Sequence, residues 1–246
     1  MMASLRKLMK PKRIDIIRAS EKADKRILQV IKKLNIDIDV YGRESWPFGS
    51  ALQYQIFFNN IEAIRFLLEN GADPNHLDFS LTTPIHWAAV FGHLDALKLM
   101  YEHHGDINIM SGNNQTPLLF AATNGEEEVI SWLIAQGADI HCHDTFSNSP
   151  LRIAIVNGFV GSMKLLIKLG LDIEDTNYRL ETPIYGAIRY YDPDISLEMV
   201  KILLDNNANV DHQNKFGQTP LDIAHDVGNQ QVVKEILNSL GIELDD

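Results

Sequence analysis

The sequence predicts an all-α repeat solenoid assembled from short helix pairs, and three observations carry the prediction. A Ser/Thr-Pro-aliphatic triplet recurs with Pro84, Pro117, Pro150, Pro183 and Pro220, spaced by 33, 33, 33 and then 37 residues. Stepping back 33 from Pro84 lands on Ala51 in "SAL", a degenerate copy. A companion motif keeps the same beat: FLLENGADPN (66–75), LMYEHHGDIN (99–108), WLIAQGADIH (132–141), LLIKLGLDIE (165–174) and ILLDNNANVD (202–211). Each unit also carries an apolar stripe that one helix pair cannot bury alone, but that stacked neighbours can.

The elements of a unit follow in order. Ser or Thr before Pro is a good helix N-cap, and Pro suits the first helical position. A short apolar helix follows, as in PIHWAAVF. Gly92, Gly125, Gly158 and Gly228 are placed to end it in a left-handed cap. The second helix has apolar residues at helical spacing, Leu94, Leu97, Leu99 and Met100 in one copy. Gly-Ala-Asp then ends that helix, and an extended polar hairpin leads to the next Pro.

The stretches TPIHWAAVFGHLDALKLMYEHHGDIN, TPLLFAATNGEEEVISWLIAQGADIH and NKFGQTPLDIAHDVGNQQVVKEIL carry a specific pattern. It resembles the ankyrin repeat family over roughly residues 45 to 240. The resemblance implies a curved stack of antiparallel helix pairs with β-hairpin loops projecting to one side. About six repeats are expected, plus a degenerate N-terminal capping repeat. The units fall near 13–44, 45–77, 78–110, 111–143, 144–176, 177–213 and 214–246, after a basic segment 1–12. The first of them rests on ILQVIKKLNIDID, which echoes IRFLLENGADPN 36 positions later.

Three departures from the family pattern stand out. The family favours Gly three residues before the Pro, where only Gly217 complies; Phe48, Leu81, Asn114, Ser147 and Leu180 do not. Leu and Phe tolerate positive φ poorly, so altered hairpin turns are expected. The family's His after the TPL triplet survives as His86 and is replaced by Leu119, Arg152, Tyr185 and Asp222. The fifth of the Pro-marked and degenerate units holds four extra residues, in RYYDPDISLEM between its two helices.

Composition narrows the function classes. The chain has 246 residues and a net charge of −11. Residues 1–33 hold eleven Lys/Arg against three acids, net +8, which leaves −19 for the remainder. So acidic a body repels nucleic acid and anionic lipid. No apolar run reaches membrane-spanning length. A single cysteine rules out an internal disulfide and favours a reducing, cytoplasmic setting. Lys10, Lys12 and Arg13 in "KPKR" suit a nuclear import signal; secretion into a host cell is a third setting.

One stretch looks chemical: IHCHD, with His141, Cys142, His143 and Asp144 in a row. In the repeat frame it is a hairpin, where Asp144 matches Asp78. A metal-dependent hydrolase centred on His141, Cys142 and His143 is the catalytic alternative. At most two of these side chains converge, so the expected reading is solvated hairpin residues, with no metal, no cofactor and no enzyme. No phosphate loop, HExxH or GxSxG pattern occurs.

Arrays of this family bind partners through a concave face of hairpin tips and first-helix ends. Carried onto this chain, the tips are Trp46, Phe79, Phe146, Tyr178, Arg179 and Phe216. The helix ends include Phe58, Val90, Phe91, Asn124, Asn157, Arg189, Tyr190 and Tyr191. Aromatics and Arg are the usual anchors of protein interfaces. Phe57 and Phe216 are the ones most expected to tuck back against the helices. The expected function is a non-catalytic scaffold or adaptor, acting as a monomer on a protein with apolar anchors and basic flanks. A regulatory inhibitor or a secreted effector acting on a host protein is the variant of that reading. The resemblance also implies a modification. Asn75 and Asn108 occupy the hairpin position that an asparaginyl hydroxylase modifies in similar repeats.

Overall fold

A computed structural model of the chain describes residue 39 and residues 49–241. Trp46, Phe48, the basic segment with Lys10, Lys12 and Arg13, and nearly all of the expected capping repeat lie outside the described residues. The chain divides into two compact units, Met1–Gly112 and Asn113–Asp246. Within the first, α1 (Ala51–Phe57) pairs with α2 (Ile61–Glu69), and α3 (Pro84–Val90) with α4 (Leu94–Glu102). Helix α1 packs on α3 and α2 on α4.

The second unit continues the alternation. Its helices are α5 (Pro117–Asn124), α6 (Glu127–Ala135), α7 (Pro150–Val156), α8 (Val160–Lys168), α9 (Pro183–Ile188), α10 (Pro193–Asp205), α11 (Pro220–Asp226) and α12 (Gln230–Ser239). Odd-numbered helices pack on one another, as do even-numbered ones. The core is the apolar stripe of the repeat. Ile64, Leu67, Ile85, Leu97 and Met100 are fully buried in the first unit, and Leu118, Ile130, Leu151, Leu166, Met199 and Leu203 in the second.

The helix punctuation follows the sequence reading. Thr83, Thr116, Ser149, Thr182 and Thr219 are extended N-caps, each followed by Pro at the first helical position. Gly92, Gly125, Gly158 and Gly228 have φ of 69°, 73°, 78° and 74°. The four extra residues lengthen a helix instead of a loop. Helix α10 has 13 residues where α8 has 9, and Asp192 caps the added turn by accepting from Asp194 and Ile195 N–H.

The loops differ from expectation in two ways. Among the described residues there is no strand. The projecting loops are turns, joined to the next by isolated backbone bonds such as Tyr178 N–H to Phe146 C=O at 3.3 Å and Lys215 N–H to Arg179 C=O at 2.8 Å. Nor do the turns change where glycine is missing. Leu81, Asn114, Ser147 and Leu180 have φ of 56°, 56°, 58° and 55°, in the same region as Gly217 at 76°.

A side-chain lock explains why a strained φ is kept. Asp78 Oδ1 accepts the N–H groups of Ser80 and Thr82 at 2.8 and 2.9 Å. Asp144 does the same for Phe146 and Asn148, Asn177 for Arg179 and Glu181, and Asn214 for Phe216 and Gln218. Asp and Asn favour such turns because their short side chains mimic a backbone acceptor. Two bonds, at ~0.5–1.5 kcal/mol each, are of the size needed to offset the ~1–2 kcal/mol that a left-handed Leu costs.

Candidate partner-binding surface

In the first unit the ends of α1 and α3 form an aromatic cluster. The Phe57 ring stands 5.1 Å from Phe58 and 5.5 Å from Phe91, both edge-on. Tyr54 supports Phe58 at 4.9 Å, and Trp87 supports Phe91 at 5.8 Å. Trp87 is itself fixed, since its indole N–H donates to the Thr82 hydroxyl at 3.0 Å. His93 lies 5.7 Å from Phe91, where burial lowers its pKa. Phe58 is exposed, while Val90 and Phe91 are half-buried. Phe79 stands at the hairpin tip with 77% of its surface exposed.

In the second unit an open groove of about 490 Å³ lies among the tips of two loops and the ends of α7 and α9. Phe146 and Tyr178 form one wall, with ring centres 6.0 Å apart. Tyr190 and Tyr191 form the other at 4.7 Å. Arg179 lies over the Tyr178 ring at 5.3 Å and donates from Nε to its hydroxyl at 2.8 Å. Tyr190 packs into the space that a Cβ on Gly158 would fill. Asn124 and Asn157 are exposed at their helix ends, and Asn157 folds back to donate to the Ile153 carbonyl at 2.9 Å. Phe216 does not tuck back as expected: it is 70% exposed, because its turn is held by Asn214 and not by the ring.

The floor of the groove holds charges that the sequence reading did not place there. Arg152 and Glu181 are buried and paired, Nη2 to Oε2 at 3.0 Å. Arg152 Nη1 donates to the carbonyls of Glu181 and Thr182 at 3.1 and 3.0 Å, and Nε to Asn148 Oδ1 at 3.0 Å. Arg189 binds the other Glu181 oxygen at 2.7 Å. Burial pulls the Arg152 pKa down, and Glu181 opposes that. The signal was available: Arg152 replaces the family's His on a helix face that is otherwise buried, so a partner was required.

Two other side chains at that helix position also reach a loop. Gln53 donates to Asp78 at 2.8 Å. The Tyr185 hydroxyl lies 2.5 and 2.8 Å from the carbonyls of His212 and Gln218, between which its one proton is shared. Asp222 closes a capping box with Thr219, as His86 does with Thr83.

IHCHD does not behave as one solvated group. Cys142 is buried and accepts from the Thr116 hydroxyl at 3.2 Å, and burial pushes its thiol up to about 11. Asp144 is consumed by its turn. His143 Nε2 lies 2.7 Å from Asp175, and His141 is exposed. Among the described residues no three or more His, Cys, Asp or Glu are grouped to hold a metal ion. Asn75 is held at both ends of its amide, donating to the His104 carbonyl at 3.0 Å and accepting from Asp106 N–H at 2.8 Å. Glu174 makes the same kind of reach to Asn209 N–H, and Asp39 to Asp73 N–H. Asn108 is exposed.

Stacked helix pairs with locked loops define a helix-pair repeat protein. Family models described as "Ankyrin repeats (many copies)" match residues 52–89 and 85–134, and one described as "Ankyrin repeats (3 copies)" matches 174–246. The chain belongs to the ankyrin repeat family, whose members are generally non-catalytic and typically bind other proteins. A fowlpox virus (strain NVSL) protein named for ankyrin repeats, FPV022, is 36% identical over 61 residues. That match covers 25% of this chain and 10% of the relative, so the chain spans about a tenth of that protein's length. The crystal structure of the ankyrin repeat domain of Bcl-3, described as a unique member of the IkappaB protein family, superposes with a TM-score of 0.77. It covers 92% of this chain and 96% of that one at 22% identity, a likeness of fold. No helix among the described residues is long and apolar enough to cross a membrane.

Proposed function

We propose that this chain is a non-catalytic scaffold that binds a partner protein through its hairpin tips and first-helix ends. The observation that carries the reading is the concentration of exposed rings there. Phe58, Phe79, Phe146, Tyr178, Tyr191 and Phe216 all sit at a tip or a helix end, and all are exposed. Exposed aromatics beside Arg are the usual energetic anchors of interfaces. The acidic remainder of the chain favours a partner whose apolar anchors are flanked by basic residues. The wild type is compared with Phe79→Ala/Phe91→Ala/Tyr190→Ala in a lysate pull-down, after circular dichroism shows the variant folded. A protein captured by the wild type and lost by the variant is the expected result. Capture that survives the triple substitution refutes the surface.

A further inference from the structure

The groove in the second unit is cationic although the chain is acidic. Its charged lining is Arg152, Arg179 and Arg189 against Glu181 alone, a net of +2 in a chain of −11. The hydrogen bonds decide which of these charges a ligand can use. Glu181 spends one oxygen on Arg189, and the other on Arg152 and on Asn177 at 3.3 Å. Arg152 is buried and its guanidinium engages Asn148, Glu181 and Thr182. Arg179 is exposed and uses only Nε, while Arg189 uses only Nη1. Both line the groove and keep guanidinium donors beyond those bonds. Guanidinium forks with spare donors match carboxylates bidentately, and flanking rings exclude water from such pairs.

We propose that this groove docks an acidic segment of the partner protein, with carboxylates on Arg179 and Arg189 and one apolar side chain against Phe146, Tyr178 and Tyr191. The proposal rests on the scaffold reading and refines it at one point. The chain's overall charge selects basic flanks, and the groove selects an acidic core motif. Asp194 lines the adjoining groove with Tyr190 and Tyr191, and Asp192 acts on Tyr190, so the acidic residues are placed in the groove that holds both Arg179 and Arg189.

The test is a selection of phage-displayed random dodecapeptides on the wild-type chain, counter-selected on Arg179→Glu and, separately, on Tyr191→Ala. Both residues are exposed, so both variants are expected to fold, and circular dichroism checks this. The expected result is a groove-dependent set enriched in Asp or Glu with one apolar residue, at least tenfold weaker on either variant. A groove-dependent set that is neutral or basic overturns the proposal, as does acidic-peptide binding that both variants retain. Peptides lost on Phe58→Ala/Phe79→Ala but not on the groove variants overturn it while leaving the scaffold reading intact. Self-association in sedimentation that Arg179→Glu abolishes would assign the groove to a second copy. Groove-dependent capture of a dT oligonucleotide would assign it to nucleic acid, and either outcome overturns the proposal.

Discussion

Substituting Glu181 tests whether the groove floor is a structural hub. Glu181 is buried with Arg152 and also anchors Arg189. Removing one partner of a buried pair costs roughly 3–5 kcal/mol, because the other charge stays buried without compensation. Here Arg152 would keep three neutral acceptors, Asn148 Oδ1 and the carbonyls of Glu181 and Thr182. The cost of Glu181→Gln is therefore expected at or below the low end, about 2–3 kcal/mol. Arg152→Leu introduces the residue found at 119, one repeat earlier. It leaves Glu181 with Arg189, so about 2 kcal/mol is expected. In the double variant neither charge is stranded, and its cost should fall short of the sum by about 2 kcal/mol. Urea unfolding followed by far-UV circular dichroism gives all three values, with equal slopes required for comparison. A coupling within about 0.5 kcal/mol of zero refutes the hub, since non-interacting sites add to that tolerance.

Further expectations concern the loops and the thiol. Asn214→Ala removes an acceptor from two backbone N–H groups and should cost about 2–3 kcal/mol, against about 1 for Gly217→Ala, where a Cβ meets nothing within 4 Å. Reversal of that order in urea unfolding would show that glycine, and not the Asn lock, holds the turn. Gly158→Ala combines a φ of 78° with a clash against Tyr190, so it should cost more than Gly217→Ala and increase iodide quenching of tyrosine fluorescence. At pH 8 iodoacetamide should alkylate Cys142 about 100-fold more slowly than a free thiol, with full rate on unfolding, because its pKa rises from 9.0 to about 11. The linked stability is present below pH 9 and is lost as pH rises through 11, since the buried form is the neutral thiol.

The fold was legible because its punctuation is covalent. Proline removes an N–H and fixes φ, so its period marks helix starts wherever the side chains vary. The turns are not legible from glycine, because glycine is not what holds them. Leu81 and Leu180 look incompatible with a left-handed turn until Asp78 and Asn177 are seen to bind the backbone around them. The repeat register together with the family resemblance picks out Phe58, Phe79, Phe146, Tyr178 and Tyr191, which are exposed, as is Phe216. The buried charges were not legible. Glu181 is 29 residues from Arg152, and in sequence it resembles any solvated loop acid.

The same lock separates what the fold needs from what a partner reads. Its bonds run from the Asp or Asn carboxamide oxygen or carboxylate to backbone N–H groups two and four residues on. The side chains at the tip are not party to it. Phe79, Phe146, Tyr178, Arg179 and Phe216 are not the side chains that accept the lock's bonds, and most of their surface remains open. Surface substitutions outside caps and buried networks usually change stability by less than about 0.5 kcal/mol. Exposed rings in such positions are not explained by folding, since a polar residue would serve the turn equally well and cost less in exposed apolar surface. The rings at the tips that carry Phe79, Phe146, Tyr178 and Phe216 are therefore the feature that the proposed binding surface accounts for and the turn geometry does not.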